Sequence, residues 1–350
     1  MPKKLCYVHI GPHKTGTKAI QCFLREKRAR LFAEGYFVPE SGNIHGGHHA
    51  IARLLCGLQV RDRHRSAAAH FAQALAENPC EKVIVSSEAL GELLRTHKYA
   101  TAFFTRLREL DLEPKLVLFP RHQPQWINSR YVEVVKSFCQ SDSFEVFAHK
   151  STEQSNLGYA GLVEVAAVFD AKLIVRPFTG KTRESVVPAF LQAIGIDPVQ
   201  FQSATIRRNE AAGPFSVSVA RSVLRLLETS GMRLTWLQAE RCKKKVAAYL
   251  KENDLADSGY CGLTTEMARC LAARWQADND AFAQQVWGRP WATVFAADVA
   301  QEFTPNDFDL VRPDEETAFR LSRAVREVKA LVDEALLDPA LAVDAPWNKL

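Results

Sequence analysis

The sequence predicts an α/β fold: a parallel sheet of about four to five strands flanked by helices, with a helical C-terminal portion. Three observations carry this. Short apolar runs of strand length recur through the first half, separated by helical patterns. Nearly every position in each run is apolar, as in strands covered on both faces. From about residue 213 the strand signal stops and helical periodicity continues alone.

The elements follow in order. Leu5–Ile10 is the first strand, and a Gly/Lys/Thr loop joins it to a helix from about Thr17 to Ala33. Residues 39–49 form a polar loop with three glycines and three histidines, His45, His48 and His49. Helical patterns then run to about Glu77. Lys82–Ser86, Lys115–Phe119 and Lys172–Pro177 read as further strands. The later helices are expected over 214–229, 233–252, 262–286 and 314–337. No repeat, low-complexity tract or linker interrupts the chain. The expected organisation is a core over 1–210 with a helical portion over 211–350 packed on it. A separate helical domain from about residue 211, or one domain over 1–350, are the alternatives.

A chain of 350 residues with 47% hydrophobic residues can bury a full core without disulfides or metals. The eight cysteines include no CxxC pair and sit mostly among apolar neighbours, which suits reduced thiols and a cytoplasmic setting. A net charge of +5 fits anionic ligands but is too small to argue for nucleic acid. No apolar stretch reaches the roughly 20 residues of a membrane helix, and no signal-peptide core precedes the first strand.

The loop after the first strand reads Gly11-Pro12-His13-Lys14-Thr15-Gly16-Thr17-Lys18. A glycine-containing turn there lets backbone N–H groups and a helix N-terminus converge on an anion. Gly11 and Gly16 have the spacing of a nucleotide-binding GxxxxGK[ST] loop, but Thr17 stands where its lysine should be. The lysine is instead Lys14. Further on, the strand ending at Phe119 runs into Pro120-Arg121, and Pro124 suits the first turn of a helix that carries Ser129. Arg121 offers an anion a bidentate, charge-assisted contact and Ser129 a neutral one. The plainer readings are a strand–turn–helix without a ligand and an ordinary arginine at a strand end.

In this order and spacing the two motifs resemble those of sulfotransferases that use 3′-phosphoadenosine-5′-phosphosulfate (PAPS), of the bacterial or carbohydrate type. Lys14, Gly16 and Thr17 match the 5′-phosphosulfate loop. Lys18 departs from it, since a second Thr or Ser is usual there. Arg121 and Ser129 match the 3′-phosphate site. The segments Phe169–Arg176 and Phe190–Ile196 resemble the later strand and helix, and Arg208 falls where a further basic contact is often placed. The resemblance covers about residues 4–210. It implies a P-loop-like fold and PAPS as co-substrate, with adenosine 3′,5′-bisphosphate as product. Lys14, Thr15, Gly16, Thr17, Lys18, Arg121, Ser129 and Arg208 would bind it, and no metal is needed. Lys14 would also neutralise charge on the departing phosphate oxygen.

A general base must take the acceptor's proton. Histidine suits the role at neutral pH, and related carbohydrate sulfotransferases carry a catalytic His or Glu in the region of the polar loop. Glu88 is expected at the sheet's carboxyl edge, where ligands bind in open α/β folds. His48 is preferred over Glu88. The plainer readings are a solvated loop histidine and a helix-start carboxylate near Ser87. The expected acceptor is a small molecule or glycan, a carbohydrate or glycolipid hydroxyl (or amine). The rival functions are a P-loop kinase or NTPase, which needs a Walker B carboxylate that the sequence does not show, and a non-catalytic nucleotide-binding scaffold.

Overall fold

The computed structural model describes residues 3–44, 46–153, 157–180, 182, 185–201 and 212–337. The strands are β1 (Lys4–His9), β2 (Tyr36–Phe37), β3 (Lys82–Ser86), β4 (Leu112–Leu118) and β5 (Lys172–Val175). They form one parallel sheet in the order β2-β3-β1-β4-β5, with His9 beside Ser86 and Val117. Four of these strands fall on the expected apolar runs. Only β2, two residues long after the left-handed Gly35, gave no such signal.

Period-two alternation on β1 sorts the helices between two faces. Tyr7 points to the layer of α1 (Thr17–Glu26), α2 (Arg28–Ala33) and, after β5, α10 (Val186–Ala193). Cys6 and Val8 point to the opposite layer. That layer holds α3 (His49–Leu55), α4 (Ala67–Glu77), α5 (Leu90–Leu93), α6 (His97–Glu109) and α9 (Ala160–Val168). The expected helix over 17–33 is thus two, broken at Lys27. The chain leaves β1 toward the first layer and its neighbour β3 toward the second. A crevice therefore opens between their carboxyl ends, the place where such sheets bind ligands.

The chain divides into two compact units, each built from separate segments. The first takes residues 1–122, 155–207 and 275–300; the second takes 123–154, 208–274 and 301–350. This differs from the single cut expected near residue 210. The first unit adds α14 (Gln276–Trp287), α15 (Trp291–Val294) and α16 (Ala296–Val299), whose Phe282, Trp291 and Phe295 join the core that contains Val8. In the second unit α7 (Gln123–Lys136) and α8 (Phe144–Glu153) pack with α11 (Pro214–Thr229) and α13 (Thr265–Arg274). Its other helices are α12 (Trp236–Glu252) and α17 (Glu315–Leu336). A capping box at Thr235 and Gln238 starts α12, and the Asp314 side chain starts α17. Among the described residues no helix is long and apolar enough to cross a membrane.

Candidate functional site

The loop from Gly11 to Gly16 leaves β1, the central strand of the sheet, and turns sharply into α1. Gly11, Lys14 and Gly16 have φ of 84°, 63° and 77°, all in the left-handed region. Glycine takes this conformation at little cost, whereas for Lys14 it costs about 1–2 kcal/mol. A Cβ on Gly11 would lie 2.8 Å from Cβ of Glu88, and one on Gly16 would lie 2.9 Å from Val186. Both glycines therefore let the loop pack closely. The Thr15 and Thr17 hydroxyls donate to the Pro12 carbonyl at 2.7 and 3.2 Å and tie the turn together.

Gly16 is the N-cap of α1, which begins with no side-chain cap and no acidic residue in its first turn. A helix start of this kind favours a bound anion. Lys18 is exposed on that turn. Arg121, three residues beyond β4, is buried at 8% exposure. Its Nη1 donates to the Lys14 carbonyl at 2.7 Å, and its guanidinium lies 5.6 Å from the centre of the Phe178 ring. Two residues 107 positions apart are thus joined beyond the carboxyl ends of the neighbouring strands β1 and β4. Ser129 lies on α7, in the second unit. Arg208 and His45 lie outside the described residues.

A second cluster forms in the crevice between β1 and β3. Glu88 follows β3, and its carboxylate takes a 2.7 Å hydrogen bond from Nε2 of Gln21 on α1. His13 Nδ1 stands 3.6 Å from one carboxylate oxygen and His49 Nε2 stands 3.6 Å from the other. Burial pushes the Glu88 carboxyl up. The charges of His49 and His13, with hydrogen bonds from the backbone and Gln21, outweigh that and hold it below the ordinary carboxylate range. The three side chains keep partial solvent contact, at 28% for His13, 16% for Glu88 and 19% for His49. Ser87 Oγ hydrogen-bonds to His49 Nδ1 at 2.9 Å and fixes the far side of that ring. Ser87 itself is fully buried, which leaves its hydroxyl no access as a nucleophile.

His48 has a different part. It is 2% exposed, its Nδ1 accepts from the Ser86 amide at 3.0 Å, and its Nε2 lies 3.0 Å from the Pro39 carbonyl. Nε2 therefore carries the proton. Burial lowers its pKa to about 4. The ring is a strut between the polar loop and the end of β3, with both nitrogens engaged. This departs from the preference for His48 as base, because the neighbouring His49 is the one that faces the carboxylate. His9 is likewise fully buried, with Nδ1 2.8 Å from Ser86 Oγ and a pKa lowered by burial to about 4. The roles of His13, His49 and Gln21 had no signal of spacing; the β1–β3 pairing and the Gly11–Glu88 contact create them. No family model, no curated protein and no solved structure matches this chain.

Proposed function

We propose that the chain is a PAPS-dependent sulfotransferase of P-loop-like architecture, transferring a sulfuryl group to a hydroxyl (or amine) of an acceptor, a carbohydrate or glycolipid. One observation carries the reading: the Arg121 guanidinium is bonded to the carbonyl of Lys14, in a left-handed turn at the uncapped start of α1. One residue of each motif, Lys14 and Arg121, takes part in this contact. The position of this loop at the carboxyl end of the central strand supports calling the sheet P-loop-like. Gly11 and Gly16 let this loop pack closely on Glu88 and Val186, which holds its turn in place.

In this reading Lys14 neutralises the charge that grows on the phosphate oxygen as the sulfur–oxygen bond breaks. Arg121 supplies charge-assisted hydrogen bonds to phosphate. Glu88 takes the acceptor's proton as the acceptor oxygen attacks sulfur. Gln21 orients the carboxylate, and His13 and His49 keep it ionised. Glu88 replaces His48 as the preferred base because its carboxylate keeps solvent contact in the crevice.

The test is calorimetric titration with adenosine 3′,5′-bisphosphate, beside ATP with Mg²⁺, on the wild type and on Arg121→Ala. The expected result is metal-independent binding of the bisphosphate, weakened about 10- to 100-fold in the variant, the range for losing a hydrogen bond to a charged group. Binding of Mg·ATP alone would replace this reading with a kinase or NTPase, and binding of neither would leave a non-catalytic scaffold.

A further inference from the structure

We infer that Tyr159 is a positioning residue for Arg121, and that the segment carrying α14 to α16 serves to hold Tyr159 in place. The inference rests on the proposed role of Arg121 in phosphate binding. Arg121 lies past the end of β4, outside the ladder that fixes strand residues. The chain leaving that strand is tied at successive residues. Phe119 donates its amide to the Gly11 carbonyl at 3.1 Å, and the Pro120 carbonyl accepts from the Phe178 amide at 2.8 Å. At Arg121 itself one side-chain group does both tasks. The Tyr159 hydroxyl accepts from the Arg121 amide at 3.0 Å and donates to the Arg121 carbonyl at 2.9 Å.

That hydroxyl is suited to a permanent clamp. Tyr159 is 4% exposed, and burial raises its pKa to about 12, so it keeps the proton that it donates. Its ring stacks on Trp291 with centroids 5.7 Å apart at 20° and packs on Phe282 at 5.5 Å. Its backbone is fixed from the same segment, because Asp278 accepts from the Tyr159 amide at 2.5 Å and the Ala160 amide at 3.3 Å. Gly158 makes room for this: a Cβ there would lie 2.6 Å from the Asp278 carboxylate. Residues 275–300 thus return to the sheet unit and fix the tyrosine by its ring and its backbone. The tyrosine sets the backbone from which the guanidinium reaches Lys14. A shift of a fraction of an ångström there misaligns a charge-assisted bond.

The experiment is a double-mutant cycle on the full chain, read as affinity for adenosine 3′,5′-bisphosphate, with a thermal melt of each variant. Tyr159→Phe keeps the stacking ring and removes both hydrogen bonds, so binding should weaken about tenfold. In the Arg121→Ala background the same substitution should change affinity less than about twofold, because it acts through a side chain already gone. An unchanged affinity in the wild-type background overturns the inference. So does an equal loss in both backgrounds, which would mean general loosening. If Tyr159→Phe does not fold, Trp291→Phe takes its place, with about a threefold loss expected from the loosened stack and the same two outcomes against it. Absence of bisphosphate binding to the wild type would instead sink the proposed function, so the two failures are distinguishable.

Discussion

Two of the charge clusters among the described residues have opposite construction. In the second unit Arg221, itself 1% exposed, gives Nη1 to Tyr131 at 2.8 Å and to Asp307 at 2.9 Å, and Nη2 to Asp307 at 2.8 Å and Asp309 at 2.9 Å. Tyr260 donates to the same Asp307 at 2.6 Å, and Asp307 is fully buried. Around Glu88 the ion-pair distances are 3.6 Å, the groups keep solvent contact, and a left-handed lysine stands in the adjoining loop. The short, enclosed network is built to stay as it is. The cluster around Glu88 is more open to solvent and its ion pairs are longer, although Gln21 and Ser87 still hold the carboxylate and the His49 ring.

The first way to break the comparison is through stability. Asp307→Ala leaves the Arg221 guanidinium buried without its bidentate partner and should cost about 3–5 kcal/mol of unfolding free energy in a denaturant titration. The folded variant should bind the bisphosphate as the wild type does. A loss under about 1 kcal/mol would mean that the network relaxes as easily as a surface pair and is no more rigid than the Glu88 cluster. Burial pushes the Asp307 carboxyl up, but the Arg221 and Tyr260 bonds hold it below its ordinary range.

A second test concerns pH. The pKa of His48 falls from 6.5 to about 4 on folding, so between those values the unfolded chain binds a proton that the folded one refuses. Stability should therefore fall as pH drops from 6.5 and level off for this group below about 4. The share of His48 is about 3 kcal/mol by that shift, and His9 adds a similar one by the same burial. Unfolding free energies at pH 7 and pH 4 should differ by about 3 kcal/mol less in His48→Gln than in the wild type. An equal difference would contradict the strut and return His48 to the list of groups that titrate near neutrality.

How much of this was legible in the sequence follows from where the information sits. The strands β1, β3, β4 and β5 were readable because each carries a short apolar run; that run is buried in β1, β3 and the end of β4, whereas in the edge strand β5 only Val175 is buried. The loop was readable because glycine, lysine and threonine cluster between a strand and a helix. Arg121 was readable as a strand-end cation, but its hydrogen bond to the Lys14 carbonyl is a long-range contact that the sequence did not signal. The left-handed φ of Lys14 had no local signal, since lysine rarely adopts it. Nor did the meeting of Gln21, His13 and His49 on Glu88, because it depends on which strands become neighbours. Between the adjacent residues His48 and His49, only the local backbone decides which ring faces inward; composition treats them alike. The interleaved units were hidden for a similar reason, since helical periodicity marks a buried face without saying which neighbour covers it.

The finest test of the comparison is at Glu88. Glu88→Gln keeps the shape of the side chain and an acceptor oxygen for Gln21, but it cannot take up a proton at neutral pH. If the cluster is chemical, release of bisphosphate from PAPS in the presence of an acceptor mixture should slow about 100-fold, the low end of what a positioned general base supplies. Bisphosphate affinity should change less than about twofold, because the carboxylate sits with the imidazoles past β3, whereas Arg121 contacts Lys14 past β1 and β4. A rate within about threefold of the wild type would make the Glu88 cluster an electrostatic brace for the loop, and the two charged regions would then differ only in how tightly they are closed.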